Sequence, residues 1–372
     1  MLGIFTIILL IFSFQTKSYA HPLSAAFTTI AVQDDQTKLT YSIDTLSVIE
    51  GVGGDQNGDD TLDSTELKKI QPRVEQWVED SLLIEADGKE LFSELEDMMI
   101  ETKSEKELVT LTFTIKRMTE GQSLQFTDGI FTQGQNAKSY TNFLSIKYDN
   151  QSYDSVLQGK NREMTLLLTP SQQQQSTDTP AVVQPANETT TIVSWSSFFK
   201  LGMEHILTGY DHLLFLLVLL LRKQSLKEYI LLVTAFTVAH SITLSLAVLD
   251  IADLPSRLVE AAIALSICYV ALENIFKKTI NRRWLLTFFF GLIHGLGFAN
   301  ILKDMDIAKE GLVTALISFN VGIEFVQVIL VLLLLPLLTW MQRRPFYKTV
   351  MISGSILTFV MGGVWLVERV FL

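Results

Sequence analysis

Four of the five histidines lie inside long apolar segments, where imidazoles are unexpected: His205, His212, His240 and His294. Asp211 directly precedes His212. A charged side chain in membrane hydrocarbon costs roughly 2.5–3.5 kcal/mol or more, so such residues are usually retained for a function. Imidazoles and a carboxylate together suit borderline divalent ions such as nickel, cobalt or zinc. We therefore predict that these five residues form a transition-metal site.

The depths of these residues in a membrane can be compared at about 1.5 Å of rise per residue. Asp211, His212, His240 and His294 all fall about 14–18 Å from the predicted cytoplasmic edge. They share this level although they belong to three different apolar segments. His205 precedes His212 by seven residues, which on one continuous helix places it about 10 Å nearer the outside. We expect a cluster near the membrane midplane, with His205 above it.

Other polar residues in the apolar segments are interpreted as the lining of a pathway to this cluster: Glu260, Asn320, Glu324 and Ser241. Glu260 and Glu324 fall at about 24 Å and Asn320 at about 30 Å from the same edge. The pathway would therefore open through an acidic mouth on the outer side.

A twelve-residue acidic run, residues 55–66, matches the spacing of an EF-hand calcium loop. Its ligand positions one, three, five, seven, nine and twelve are Asp55, Asn57, Asp59, Thr61, Asp63 and Glu66. Asp60 stands where glycine is usual, and aspartate tolerates left-handed backbone better than most residues. We predict a structural calcium site in this loop.

Six apolar segments place the histidines on membrane helices, because each is long enough to cross about 30 Å of hydrocarbon. They cover residues 198–221, 228–249, 257–276, 284–302, 311–340 and 349–368. The sequence predicts an all-α six-helix transmembrane bundle over residues 193–372.

The loops between these segments differ in charge. Three alternate loops carry ten lysines and arginines, against three in the other two: Arg222, Lys223, Lys227, Lys277, Lys278, Arg282, Arg283, Arg343, Arg344 and Lys348 against Arg257, Lys303 and Lys309. Positive loops stay in the cytoplasm. We therefore expect a multi-pass protein of the bacterial inner membrane, with everything before the first span outside the cytoplasm.

The region before the bundle reads as an exported β-rich domain. Residues 1–20 resemble a cleaved signal peptide, with an apolar stretch and small residues before His21. Whether a mature N-terminal His21 binds metal is left open. Residues 21–169 contain alternating apolar and polar runs and the hairpin signal Asp87-Gly88, with one helix expected near Ser64–Ser81. Residues 170–192, rich in Gln, Thr and Pro, read as a linker.

The composition excludes several classes of protein. Hydrophobic residues make up 48% of the 372 residues and charged residues 19%, with a net charge of −11. This acidic balance gives no support to nucleic-acid binding, which requires a basic face. Cys268 is the single cysteine, so an intrachain disulfide and a cysteine-based zinc site are both excluded.

Five motifs in order resemble the HupE/UreJ family of bacterial membrane proteins, in particular its branch with an exported N-terminal domain. They are HILTGYDHLLF at 205–215, FTVAHSITL at 236–244, EAAIALS at 260–266, FGLIHGLGF at 290–298 and FNVGIE at 319–324. The resemblance covers roughly residues 195–370 and implies a role in the permeation of nickel or a related metal.

Three functions remain open from the sequence. The first is a permease for divalent metal, in which the His/Asp cluster binds its cargo transiently. The second is an intramembrane zinc hydrolase, in which a metal-bound water attacks substrate with help from Ser241 or Glu324. The third is a structural or assembly protein whose polar residues only connect helices. The predicted partners are the lipid bilayer and the metal ion. The sequence does not identify a protein partner.

Overall fold

The computed structural model describes residues 24–103, 106–132, 140–149, 151–169, 190–252, 254–277, 282–305, 307 and 309–371. The predicted signal peptide, His21 and residues 170–189 of the predicted linker lie outside this part of the chain. The described chain forms a mainly β N-terminal domain followed by an all-helical part. The predicted succession of a mainly β domain and an all-α part is thereby confirmed.

Two sheets build the N-terminal domain. The larger contains β1 (Ser24–Val32), β2 (Thr37–Asp44), β5 (Ser93–Lys103), β6 (Lys106–Ile115), β8 (Tyr140–Tyr148), β9 (Gln151–Gln158) and β11 (Thr190–Val193), in the order β11-β9-β8-β1-β2-β6-β5. The smaller contains β3 (Leu82–Ala86), β4 (Lys89–Glu90), β7 (Ser123–Asp128) and β10 (Glu163–Leu167), in the order β10-β7-β3-β4. The β1–β8 and β11–β9 pairs are parallel. Strand β11 begins within the segment predicted as linker.

One apolar core joins the two sheets to helices α1 (Thr45–Val52) and α2 (Ser64–Glu79). Leu39, Tyr41 and Ile43 alternate along β2 and are all buried in this core, as their spacing predicts. The Asp87-Gly88 turn has φ angles of 51° and 73° and connects β3 to β4. Positive φ at both residues is the backbone that tight hairpins require.

The all-helical part begins with two helices, α3 (Trp195–Thr208) and α4 (Tyr210–Leu220). Then follow α5 (Leu226–Val248), α6 (Ser256–Phe276), α7 (Arg283–Leu296), α8 (Ala299–Asp304), α9 (Lys309–Gln342) and α10 (Tyr347–Phe371). Five helical segments are long and apolar enough to cross a membrane, or six if the bent α3–α4 pair is one span. Helix α5 packs mainly on α7, α6 on α10, and α3 on α9.

The N-terminal domain packs against one end of this bundle. Ala25, Phe143 and Val156 on the outer face of the large sheet join an apolar cluster with Phe198 of α3 and Phe298. Lys103 Nζ donates a 2.8 Å hydrogen bond to the Asp304 carbonyl oxygen. Since Ala26 and Ile30 of the same strand face the domain core, both faces of β1 are buried. The described residues of the basic loops meet at the opposite end of the bundle, where Arg222 donates to the Lys277 carbonyl oxygen and Tyr347 to the Leu221 carbonyl oxygen. We call this the basic end.

Candidate metal centre

The first apolar segment is broken inside the histidine motif. Helix α3 ends at Thr208, α4 begins at Tyr210, and the two axes differ by 68°. A Cβ on Gly209 would lie 2.7 Å from the His205 carbonyl oxygen and 2.9 Å from His212 Nδ1. Only glycine therefore leaves room for this turn. The prediction of one continuous helix is wrong here, because the chain bends by 68° at Gly209.

The break brings His205 beside His212. Their ring centroids are 4.7 Å apart, and each lies about 6 Å from the ring of His240 on α5, at 5.9 and 6.0 Å. One ring nitrogen from each of these three histidines lies within 4.8 Å of the other two. His294 of α7 extends the group, with its ring 5.2 Å from that of His212. Within the described residues, the four histidines of the bundle thus form one cluster.

Two of these imidazoles are oriented through their Nδ1 atoms. His212 Nδ1 lies 3.0 Å from Asp211 Oδ1, and His294 Nδ1 lies 2.8 Å from the Phe290 carbonyl oxygen. An Nδ1–H that donates to an oxygen leaves the Nε2 lone pair available to a metal. A carboxylate behind a histidine also fixes the ring and raises its basicity, as in many metal sites. Asp211 is therefore suited to a supporting role as well as to direct coordination.

The remaining ring nitrogens are buried without partners. Nε2 of His205, His212 and His294 and both nitrogens of His240 have no hydrogen bond within the described chain. His240 and His294 are fully buried. A buried polar atom without a partner carries a free-energy penalty of about 1–3 kcal/mol. Five such atoms in one cluster are therefore open to a ligand.

Phenylalanines enclose the cluster. Phe298 and Phe319 stack on each other at 5.0 Å, and their rings lie 4.5 and 5.4 Å from the ring of His205. Phe215 and Phe236 lie 5.0 and 5.1 Å from His294. These rings exclude water from the imidazoles on both sides.

The predicted pathway residues have separate environments. Asn320 faces His240, and its buried Oδ1 has no partner at regular hydrogen-bond geometry in the described chain. Glu324 accepts a 2.7 Å hydrogen bond from Thr234, while its second oxygen, Oε2, is buried and unpartnered. Ser241 donates to the Thr237 carbonyl oxygen of its own helix.

Glu260 belongs to a different contact. Its carboxylate lies 3.2 Å from Arg369 of α10, and half of its side chain is exposed. The structure thus places Glu260 in an ion pair between α6 and α10, whereas Asn320 and Glu324 share the α9 face that meets α5.

Gln327 is a buried polar residue that the sequence analysis missed. It is 4% exposed, and its Oε1 accepts a 3.0 Å hydrogen bond from Thr237 of α5. It follows Asn320 by seven residues and Glu324 by three, so all three lie on one helical face. That spacing in an apolar span was a signal available in the sequence.

A narrow cavity leads from His212 toward the basic end. Gln327 and Tyr229 line it with Phe236 and several leucines. Its free volume is about 10 Å³, roughly the room that one water molecule needs. The cavity lies between the histidine cluster and Tyr229, whose hydroxyl donates to the Arg222 carbonyl oxygen at the basic end.

Close contact between α5 and α7 holds His240 and His294 together. Gly295 follows His294 directly and faces the backbone of His240, and a Cβ there would overlap the His240 carbonyl oxygen and Thr243 Oγ1. Small residues allow membrane helices to approach in this way. The backbone separation that glycine permits therefore sets the distance between the two imidazoles.

The acidic loop lies between α1 and α2 in the N-terminal domain. Asp60 has the left-handed φ of 60° that the sixth loop position requires, and Asp55 accepts hydrogen bonds from the backbone of Gly58 and Asp60. Hydrogen bonds from Thr61 lower the pKa of Asp59. Asp63 is the N-cap of α2, and Glu66 accepts a hydrogen bond from its backbone nitrogen in a capping box.

A polytopic bundle with an enclosed imidazole cluster defines the class of protein. Residues 181–369, about half of the chain, match the HupE / UreJ protein family. The chain belongs to this family, and the match begins at residue 181, so strands β1 to β10 of the N-terminal domain lie outside it. No curated protein matches the chain.

Proposed function

We propose that this protein is a membrane permease for a divalent transition metal of the nickel, cobalt or zinc class. The observation that carries the proposal is the group of five buried, unpartnered ring nitrogens on His205, His212, His240 and His294. Nitrogen ligands of this kind suit borderline divalent metals. The metal is the cargo, bound on the way through rather than held permanently.

Transport requires binding that is favourable enough to admit the ion and weak enough to release it. Four imidazoles and one carboxylate offer more donors than a single tetrahedral ion uses. The ion can therefore exchange ligands along the cluster, for example from His205 to His294 by way of His212. Asn320 Oδ1 and Glu324 Oε2 would add two oxygen ligands to these imidazoles and the carboxylate. The cavity beside Gln327 would continue the path toward the basic end.

The proposal includes an orientation. The basic end would face the cytoplasm, because positively charged loops are retained there. The N-terminal domain packs on the opposite end and would be outside the inner membrane, in the periplasm, after removal of residues 1–20 as a signal peptide. Metal would then meet His205 and its phenylalanine enclosure before the deeper imidazoles.

Flux through proteoliposomes tests the proposal. The purified full-length chain is reconstituted, and entry of Ni²⁺, Co²⁺ or Zn²⁺ is followed with a trapped metal-sensitive dye. We expect His240→Ala to reduce flux at least tenfold, because His240 contributes two of the five unpartnered ring nitrogens. Cys268→Ala is the matched control, since it removes a buried soft ligand outside the cluster. Equal flux in the wild type, His240→Ala and protein-free vesicles would refute a permease.

The amount of metal retained through purification distinguishes the permease from the hydrolase and the structural protein. An intramembrane hydrolase should hold about one zinc through purification, and a structural protein should neither retain nor move metal. The hydroxyl of Ser241 donates to its own helix backbone, which counts against Ser241 as the residue that assists a metal-bound water. A hydrolase would therefore depend on Glu324.

We also propose that the acidic loop of the N-terminal domain binds calcium through Asp55, Asn57, Asp59, Thr61, Asp63 and Glu66. The support is their spacing and the left-handed backbone at Asp60. Leu62 anchors the loop in the domain core, where it is 1% exposed. Calcium would thus stabilise the α1–α2 connection rather than take part in transport.

A further inference from the structure

Positive side chains from two loops meet in one cavity at the basic end. The cavity lies between the end of α4 and the start of α7, and its cationic lining residues are Arg222, Lys223, Arg282 and Arg283. Its volume is about 160 Å³, an order of magnitude more than one water molecule needs. The cavity can therefore admit a group larger than solvent.

One carboxylate, that of Glu228, lines the cavity opposite these four cations. Its Oε2 already accepts hydrogen bonds from the backbone nitrogen and the hydroxyl of Ser225, where it caps α5. Glu273 lies behind Arg283, with Oε2 3.7 Å from Arg283 Nε. The lining thus keeps an excess of positive charge after both carboxylates are counted.

A buried donor points to a ligand in this cavity. Gln224 lines the cavity, and its Nε2 is buried without a hydrogen bond in the described chain. Arg283 is 6% exposed, and its guanidinium donates to the Leu219 carbonyl oxygen and to Asn274 Oδ1, so it adds positive charge to the cavity wall rather than a free donor. The cavity also borders the N-terminus of α7, which has no side-chain cap. An unused donor, a helix N-terminus and excess positive charge together select an anion.

The remaining wall of the cavity is apolar and reaches the lipid-facing surface. It consists of Leu231, Leu232 and Trp284, of which Leu231 is 47% and Trp284 39% exposed. Tryptophan is typical of the membrane interface. Basic pockets between membrane helices bind anionic lipid headgroups. An apolar wall beside an anion site fits the acyl chain of such a lipid.

We propose that this cavity binds a phosphate group, supplied by the headgroup of an anionic phospholipid. The Arg282 guanidinium and the Lys223 ammonium would contact the phosphate oxygens, and the buried charge of Arg283 would lie behind them. Leu231 and Trp284 would contact the first part of an acyl chain. Bound lipid would link the α4–α5 loop to the start of α7, and this inference does not depend on metal transport.

Native mass spectrometry of the full-length chain in detergent tests the site. The probes are phosphatidylglycerol, phosphatidylcholine and inorganic phosphate. The test variant is Lys223→Gln with Arg282→Asn, because asparagine accepts the left-handed backbone at position 282, where φ is 54°. The control is Lys227→Gln with Arg343→Gln, which removes the same charge from the basic end outside the cavity.

We expect the wild type and the control to retain one phosphatidylglycerol with similar affinity, and the test variant to bind it at least tenfold more weakly. Phosphatidylcholine should bind no better to the wild type than to the test variant. Displacement of phosphatidylglycerol by millimolar inorganic phosphate would support the phosphate site itself. Binding of inorganic phosphate without phosphatidylglycerol would support the site and refute the lipid source. Equal weakening in both variants would refute a specific site.

Discussion

The rings of His205 and His212 lie 4.7 Å apart, and the two helices that carry them meet at a bend of 68°. Along a continuous helix, seven residues would separate the two by about 10 Å. The bend at Gly209 converts that axial distance into direct contact. Broken helices of this kind are typical of ion sites within membrane transporters, because the ends of the helices and the side chains there face the cargo.

The first prediction concerns this bend. Gly209→Ala places a methyl group 2.7 Å from the His205 carbonyl oxygen and 2.9 Å from His212 Nδ1, so the two rings must separate. We expect metal flux to fall at least tenfold while the protein remains folded in detergent. Gly363→Ala is the control, because a Cβ there meets no atom within 4 Å. Similar flux in both alanine variants would contradict the role of the bend.

The second prediction concerns the carboxylate behind His212. Asp211→Asn keeps the size of the side chain but removes the charge that orients His212 Nδ1–H. Loss of such a supporting carboxylate typically lowers metal affinity 10–100-fold. Isothermal titration of the purified chain with Ni²⁺ or Co²⁺ measures the effect. Asp250→Asn, which affects an ion pair with Lys303 at the opposite end from the basic loops, should leave the affinity within twofold of the wild type.

The third prediction concerns calcium. At a concentration 100 times the dissociation constant, a bound ion stabilises the folded state by about 2.7 kcal/mol. Calcium should therefore raise the unfolding temperature of the N-terminal domain within the full chain, and Glu66→Gln should abolish the increase. The exposed Glu107→Gln serves as the control for charge. An unfolding temperature of the wild type that does not respond to millimolar calcium would rule out the site.

The fourth prediction concerns a buried carboxylate in the N-terminal domain. Asp128 is fully buried and accepts hydrogen bonds from Tyr140, Asn142 and the backbone of Ile130, with Arg162 at 3.7 Å. Desolvation nevertheless raises the pKa of Asp128 above its usual value of 3.8. The folded state thus holds this proton more tightly than the unfolded state does.

Stability contributed by protonated Asp128 is accordingly lost as the pH rises through the folded-state pKa. The loss amounts to about 1.4 kcal/mol for each unit by which the pKa is raised. The amount by which the free energy of unfolding of the wild type exceeds that of Asp128→Asn should therefore decrease between pH 4 and pH 7. Hydrogen exchange of peptides from β7, corrected for the intrinsic rate, measures it. The exposed Glu163→Gln controls for the lost charge, and an advantage that grows with pH would contradict the direction of the shift.

Much of the fold of this protein can be predicted from local sequence patterns. Alternation along β2, the Asp87-Gly88 turn and the lengths of the apolar segments predict the β-rich domain and the helical bundle. Burial of every second residue in a strand and the length needed to cross a membrane are properties of single segments. The same reasoning identifies the histidines, because ionisable residues are costly in any apolar span.

Only the packing of the helices decided which side chains contact each other across the bundle. The sequence gives no reason why Glu260 should pair with Arg369, why Thr237 should donate to Gln327, or why the outer face of β1 should meet α3. Such contacts depend on which helices become neighbours and on how far each is rotated. The bend at Gly209 belongs to the same group, since one glycine permits a turn without specifying 68°. The sequence therefore determined which side chains could bind a cation, and the tertiary structure decided which of them meet, because distances between separate segments depend on how those segments pack.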